Sequence, residues 1–292
     1  MIEQLLTGFR SPFYMQLFLV WAVAVVIPMG LRVHARQFSS SWWFRFASSR
    51  WPIAGLFLCG SLLSKTGIAA ALLTIPIVVF SWFLLWAAIQ KLHQNGWKIG
   101  PHWGDSFSLG SLSVVSTFVL ADRLGYQPFG FDPVVIFLTA IHFSYAGFVL
   151  PLVAAEVSRQ KARNIVADTI TAGIIMGVVG LAIGITATQL GMGWTIELGS
   201  ALCLAFFGCS LGFLMLRSYK QAPLLAVSGL FLIFGVCVAA LYALRPIYPV
   251  ALLDIPNMRA IHGTVQAFGF STLALFALSK KPSLIAITNI KV

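Results

Sequence analysis

The stretch IVADTITAGIIMGVVGLAIGITATQ, residues 165–189, holds a single ionisable side chain, Asp168, in an otherwise uncharged and mostly apolar run. A helix needs about 20 apolar residues to cross roughly 30 Å of hydrocarbon. The stretch is long enough, so it predicts a membrane-spanning helix. Similar runs recur along most of the chain, and they determine the fold class.

The composition of the whole chain agrees with this interpretation. Of 292 residues, 59% are hydrophobic and 9% are charged, whereas about a quarter of the residues in soluble domains are charged. The mean hydropathy is +0.91. These values predict an all-α, polytopic bundle of transmembrane helices, with the lipid bilayer as its surroundings.

Nine segments are apolar enough to be spans. Their approximate bounds are 13–31, 49–64, 67–90, 106–124, 132–156, 165–189, 194–216, 222–244 and 258–279. We expect one transmembrane domain over residues 1–292, because the longest predicted loop, 32–48, is too short for a soluble domain. The aromatic stretch SSSWWFRF in this loop is expected to lie in the lipid headgroups. The fourth span is rich in Ser and Gly, which predicts that it is buried between other helices.

Lysine and arginine in the loops predict the orientation. Cytoplasmic loops of membrane proteins carry an excess of these residues. One side holds fourteen: Arg32, Arg36, Arg45, Arg50, Lys91, Lys98, Arg159, Lys161, Arg163, Arg217, Lys220, Lys280, Lys281 and Lys291. The other side holds five: Arg10, Lys65, Arg123, Arg245 and Arg259. The imbalance predicts an N-out, C-in topology, and it accounts for the net charge of +11 without a nucleic-acid partner.

Ionisable groups inside the spans are the candidate functional residues, because such groups are costly in a bilayer and mark functional sites. His142 lies about 15 Å into the fifth span, at 1.5 Å per residue, which is near the membrane centre. Tyr145 shares its helix face. A buried imidazole offers proton transfer, ligation of a metal or haem, or a hydrogen bond to a ligand. His142 is therefore the first candidate for a catalytic residue.

A second polar strip lies in NMRAIHGTVQAFGF, residues 257–270. Arg259, His262 and Gln266 fall on one helical face of the ninth span. Arg259 is placed to reach the lipid headgroups, which leaves His262 and Gln266 facing inward. If the fifth and ninth spans touch, His142 and His262 line one pocket that opens to the outside.

Carboxylates near the ends of the spans complete the candidate site. Glu197 and Asp254 are predicted on the outer side, where either could fix the tautomer of an imidazole and contribute to substrate binding. Glu156 and Asp168 are predicted on the inner side, with Arg159 or Arg163 as possible partners.

Three other acidic residues have structural interpretations. Asp105 and Asp132 precede predicted helices and are expected to be N-caps. Asp122 is expected to form an ion pair with its neighbour Arg123 at the membrane surface.

Common catalytic and metal-binding motifs do not occur. The sequence has no P-loop, no HExxH and no CxxC. The four cysteines all fall within apolar runs, so they predict neither a disulfide framework nor a metal site. The cofactor is therefore left open, with haem or a metal ion as alternatives and no metal ligands assigned.

Two stretches resemble a known family. TAIHFSYAGFVLP (139–151) and MRAIHGTVQAFGF (258–270) are similar to the signature stretches of the YndJ-like family of bacterial integral membrane proteins. Ser144 and Gln266 depart from that pattern, in which a histidine and an asparagine are expected. The resemblance implies a multi-pass protein of the bacterial cytoplasmic (inner) membrane, and it supplies no established activity, although a transporter label is sometimes used. It marks His142, Tyr145, Gly147, Pro151, His262, Gly263 and Gly269.

Several functions remain open from the sequence. The first is an enzyme that uses His142 and His262 for acid–base chemistry on a lipid or isoprenoid-like substrate, which Gln266, Tyr145, Glu197, Asp254 and Arg259 help to bind. The second is a transporter of small molecules or a proton-coupled one, with Glu156 and Asp168 in a proton relay. The third is a haem protein with both histidines as axial ligands, and the fourth is a structural role.

Overall fold

The computed structural model of the chain describes residues 12–96, 99–160, 165–217, 222–249 and 254–280. Seven of the cations that predicted the orientation lie outside these residues. They are Arg10, Lys98, Lys161, Arg163, Lys220, Lys281 and Lys291.

Nine long helices and no strands occur in the described residues. The helices are α1 (Phe13–Phe38), α2 (Trp42–Leu63), α3 (Ile68–Asn95), α4 (Pro101–Leu124), α5 (Pro133–Arg159), α6 (Ile165–Gln189), α7 (Thr195–Leu216), α8 (Pro223–Ala243) and α9 (Ile255–Lys280). All of them except α2 are both long enough and apolar enough to cross a membrane. The predicted all-α polytopic bundle is therefore confirmed.

The first connection differs from its prediction. The segment 32–48 was predicted to be a loop, but α1 continues to Phe38 and α2 already begins at Trp42. Ser41 caps α2, because its side chain accepts a hydrogen bond from the Phe44 backbone N–H. Arg36 lies in the extra turns of α1, where a long aliphatic stem lets a cation remain on a membrane helix. Only residues 39–41 connect the two helices.

Neighbouring helices along the chain pack against each other. Helices α6, α7 and α8 form a sequential layer, while α1 contacts α2, α5 and α9. Glycines permit the close approach in the layer, since a Cβ at Gly184 would lie 2.5 Å from the Glu197 backbone. A Cβ at Gly212 would lie 2.9 Å from the carbonyl oxygen of Gly229.

Helix α4 is buried as the sequence predicts. Four of its serines, Ser108, Ser111, Ser113 and Ser116, hydrogen-bond within the helix or to neighbouring helices, and Ser81 of α3 donates to Ser116 over 2.6 Å. These hydroxyls replace the bulky side chains that would hold the helices apart. The buried serines of α4 are Ser106, Ser108, Ser111, Ser113 and Ser116.

Three of the helices contain π-helical turns at one level of the bundle. The turns are Ala22–Val26 in α1, Phe143–Gly147 in α5 and Val265–Thr272 in α9, and each contacts the other two. We call these three segments the π-layer. A π-helical turn accommodates an extra residue and is frequent at functional sites. The fifth and ninth spans thus touch, which is the condition under which the sequence places His142 and His262 at one pocket.

Candidate functional site

His142 lies directly before the π-helical turn of α5. Its Nε2 atom is buried and has no hydrogen-bond partner among the residues that the structure describes. The ring is close enough to His262 for the two imidazoles to interact electrostatically. A buried nitrogen without a partner is costly, so this atom is available to a ligand.

His262 has a defined tautomer. Its Nδ1 lies 2.8 Å from the carbonyl oxygen of Gly235 in α8. A carbonyl oxygen only accepts, so Nδ1 carries the hydrogen and the Nε2 of the neutral ring keeps its lone pair. Gln266 lies beside it and donates from Nε2 to the carbonyl oxygen of Leu232 over 3.4 Å. His262 and Gln266 therefore both face α8, as their shared helix face predicts.

Helix α1 connects the helices that carry the two histidines. The Tyr145 hydroxyl of α5 donates to the carbonyl oxygen of Phe18 over 2.8 Å. The Phe18 ring lies against α9, where it contacts the position of Gly263 and stands 6.1 Å from the Phe268 ring. We call His142, Tyr145, His262 and Gln266 the His142–His262 cluster.

Arg259 points towards α1. Its guanidinium contacts the Met15 sulfur over 2.9 Å, and its Nε atom is buried without a hydrogen-bond partner in the described part of the chain. Headgroup contact was the sequence expectation for Arg259, and the observed contact is with a neighbouring helix.

The two carboxylates predicted beside the imidazoles have other partners. Glu197 accepts a hydrogen bond from Arg245 over 3.0 Å. Asp254 caps α9 by accepting from the Asn257 backbone N–H over 2.8 Å. Within the described residues the tautomer of His262 is therefore fixed by the carbonyl of Gly235 rather than by either carboxylate.

A second polar cluster lies where the C-terminal ends of α1 and α5 meet the N-terminal end of α4. Both Arg159 terminal nitrogens donate to Asp105, over 2.9 and 2.8 Å, and one of them also donates to Glu156 over 2.8 Å. Asp105 was predicted to be an N-cap, which is wrong, because α4 begins four residues earlier at Pro101. We call His34, Asp105, Ser108, Glu156 and Arg159 the Asp105–Arg159 cluster.

His34 is the buried histidine of this cluster. Its side chain is completely inaccessible to solvent. Ser108 Oγ donates its hydrogen to the carbonyl oxygen of Phe148 over 2.6 Å, and Ser108 Oγ itself lies 3.0 Å from His34 Nε2. Because the serine hydrogen is already used, His34 Nε2 must be the donor of the second bond. Helices α1, α4 and α5 are joined through this chain of hydrogen bonds.

Two further groups surround the cluster. Arg36 lies 4.0 Å from Glu156 and donates to the carbonyl oxygen of Leu278 in α9 over 2.8 Å. Ser158 donates to Asp168, which connects α5 to α6. The sequence prediction of Arg159 as the partner of Glu156 is confirmed, and Arg163 lies outside the described residues.

Sequence reasoning missed His34 because the first span was taken to end at residue 31. The segment RVHARQF contains two arginines around the histidine, and this composition resembles a cytoplasmic loop. A helix continued by two turns would have placed His34 and Arg36 at the predicted level of Glu156. The capacity of arginine to remain on a membrane helix is the signal that could have revealed it.

The π-helical turn in α5 changes the angle between His142 and Glu156 around the helix axis. In a straight α-helix, two residues 14 positions apart lie within about 40° of each other. The turn Phe143–Gly147 lies between them and takes up one extra residue, which changes the angle to about 140°. The two side chains therefore belong to two clusters on different faces of α5.

A cavity of about 520 Å³ opens where α1, α2 and α3 meet, and it is separate from both clusters. Its lining includes Gln37, Trp42, Lys91 and His93. In the parts of the chain that the structure describes, no group of three or more His, Cys, Asp or Glu side chains is arranged to hold a metal ion.

Known proteins provide a separate comparison. A family model described as YndJ-like protein matches residues 17–270, which include both signature stretches. A Bacillus subtilis (strain 168) protein named uncharacterized membrane protein YndJ is 27% identical over 161 residues, or 54% of this chain and 29% of that relative. The chain thus aligns with less than a third of the relative's length. No solved structure matches the chain.

Proposed function

The chain belongs to the YndJ-like protein family, and on that premise we propose that it catalyses acid–base chemistry on a lipophilic substrate at the His142–His262 cluster. The substrate class is a lipid or an isoprenoid-like molecule that enters from the bilayer. Isomerisation, cyclisation and hydration are reactions that suit such a site. The protein is a multi-pass membrane protein, and we place it in the bacterial cytoplasmic membrane with the cluster in the outward half.

The observation that carries this proposal is the state of the two imidazoles. His142 Nε2 is buried without a partner among the described residues, and the Nδ1–H of His262 is held by Gly235. His262 Nε2 is then a base in a fixed orientation, and His142 can donate or accept a second proton. Two imidazoles at one site can thus act as the acid and the base of one reaction.

The other predicted site residues have subsidiary roles in this proposal. Gln266 and Tyr145 border the two imidazoles and would orient a bound molecule. Arg259 has a buried Nε that is free to donate to an oxygen of the substrate. Glu197 and Asp254 lie close to the start of α7 and α9, where they would frame the entrance.

The test is proton exchange with solvent. Membranes that contain the wild-type protein are incubated in D₂O, and the lipid extract is analysed by mass spectrometry. We expect at least one lipid to gain deuterium or to change mass, because acid–base chemistry at carbon exchanges protons. The His142→Gln variant should abolish the change, whereas the His102→Gln variant should retain it.

Two results would contradict the proposal. One is a wild-type lipid extract without deuterium gain or mass change, and the other is an unchanged gain in the His142→Gln variant. The absorbance spectrum of the purified protein tests the haem alternative in the same preparation. A Soret band that is lost in both His142→Gln and His262→Gln would favour haem ligation over acid–base chemistry.

Proton-coupled transport is the second candidate, and the bonds of Glu156 and Asp168 favour it. Arg159 holds Glu156, and Ser158 connects Asp168 to the same helix, so ionisable groups extend from α5 to α6. Liposomes that contain the protein would take up protons with a transported molecule. Glu156→Gln should reduce this uptake, and uptake that is equal in the variant and the wild type would remove the candidate.

A further inference from the structure

The geometry around His34 points to a site that binds one proton, and we propose that this proton lies between His34 Nδ1 and Asp105 Oδ1. The site is separate from the proposed acid–base site, and it stands whether or not that chemistry occurs. A proton taken up at this position would alter the ion pair between Asp105 of α4 and Arg159 of α5.

The hydrogen bonds of His34 determine which of its ring nitrogens carries the hydrogen. Its Nε2 donates to Ser108, so the Nδ1 of the neutral ring has a lone pair and no hydrogen. Nδ1 is buried and has no hydrogen-bond partner among the described residues. It lies 3.7 Å from Asp105 Oδ1. Two acceptor atoms therefore face each other in a dry interior.

A proton between His34 Nδ1 and Asp105 Oδ1 would turn their repulsion into attraction. Without a proton, the lone pair of Nδ1 and the negative oxygen repel each other. A proton placed between them converts this contact into a charge-assisted hydrogen bond. The donor–acceptor distance would then shorten from 3.7 Å to about 2.7–2.9 Å.

Charged groups from four helices surround the His34–Asp105 site. Arg36 from α1, Glu156 and Arg159 from α5, and Lys91 from α3 act on this region, and Asp168 of α6 approaches through Ser158. Helix α9 contributes a backbone carbonyl, which accepts from Arg36. The two arginines and Lys91 limit the site to one added proton, because each further positive charge is repelled.

Proton binding at this site would change how the neighbouring helices pack. Asp105 now accepts two hydrogen bonds from Arg159, which tie α4 to α5. A proton shared with His34 reduces the negative charge available to Arg159, and Arg159 keeps its bond to Glu156 within α5. Proton binding therefore weakens the contact between α4 and α5 and strengthens the one between α1 and α4.

Infrared difference spectroscopy of the full chain in lipid nanodiscs tests the site. Spectra recorded while the pH falls from about 8 to about 5 should show a change in carboxyl and imidazole bands. Asp105→Asn should abolish this carboxyl change, and His34→Gln should shift or abolish it. His93→Gln is the control for the loss of a histidine outside the Asp105–Arg159 cluster, in the last turn of α3, and it should retain the change.

Two spectroscopic results would overturn the proposal. A wild-type protein without a pH-dependent carboxyl band overturns the proposal, and so does an Asp105→Asn spectrum that equals the wild-type spectrum. If Asp105→Asn does not fold, His34→Gln and ¹⁵N-histidine spectra of the wild type supply the same test. His142→Gln should leave the band unchanged, so failure of this proposal is distinguishable from failure of the acid–base proposal.

Discussion

The two polar clusters of this bundle differ in how their hydrogen bonds are used. In the Asp105–Arg159 cluster, a cation joins two carboxylates, and a serine links His34 to the backbone of α5. The His142–His262 cluster has no ion pair among the described residues, and His142 Nε2 is buried there without a partner, as His34 Nδ1 is in the first cluster. Ion pairs therefore hold helices together in the first cluster, whereas the second contains neutral side chains and keeps hydrogen-bonding capacity for a ligand. Buried polarity in a membrane protein thus has two different uses.

Removing the shared cation should give the largest difference between the clusters. Arg159→Met leaves Asp105 and Glu156 buried without their partner, so we expect a loss of about 3–5 kcal/mol in the free energy of unfolding. Unfolding in mixed micelles of mild detergent and dodecyl sulfate measures this loss. Arg50→Met is the control, since Arg50 is exposed and stacks on Phe46, and it should cost less than about 1 kcal/mol. Equal losses in both variants would show that the cluster has no structural role.

Adding a methyl group at a glycine beside each cluster should give the second-largest difference in stability. A Cβ at Gly104 would lie 2.7 Å from the carbonyl oxygen of Pro151, whereas a Cβ at Gly235 would first meet the flexible end of Gln266. Gly104→Ala should therefore cost about 1–3 kcal/mol, because α4 and α5 must move apart. Gly235→Ala should cost less and mainly displace Gln266. The same unfolding assay compares the two variants. A larger loss for Gly235→Ala would show that the packing is tighter at Gly235 than at Gly104.

Replacing each buried histidine should give the smallest effect. His34→Leu removes a hydrogen bond between helices, which is worth about 0.6 kcal/mol on average in membrane proteins. His142→Leu removes a nitrogen that has no partner, so stability should stay equal or rise. The difference between their unfolding free energies is the measurement. A larger loss for His142→Leu would indicate that His142 is a structural residue.

The sequence predicted helices well where long apolar runs determine them. The segment 165–189 forms α6 with the predicted bounds, because every alternative would leave backbone groups unpaired in lipid. The Ser-rich α4 was predicted to be buried for the same kind of reason. Such features depend on local composition, and composition can be read directly.

Partners across helices could not be predicted in the same way. Asp105 is separated from Arg159 by 54 residues, so their pairing depends on how α4 and α5 are rotated. The carbonyl of Gly235 is invisible to a search for side-chain partners of His262. The π-helical turns have no residue signature either, and they change the faces on which His142 and Glu156 lie. Rotation and backbone groups thus account for most of what the sequence did not reveal.

The π-layer has a consequence for how this chain tolerates length changes. Each π-helical turn contains one residue more than an α-helical turn needs, so a single deletion there can restore a regular α-helix. The turn already absorbs its extra residue, so such a deletion leaves the helix beyond it on the same face, whereas one residue deleted from a regular α-helical turn rotates everything beyond by about 100°. In α1 a deletion within Ala22–Val26 should therefore keep His34 beside Asp105 and Phe18 in contact with Tyr145. A deletion within the regular helix between Ile27 and Leu31 should instead turn His34 away from Asp105, so the π-layer marks where the chain tolerates the loss of a residue.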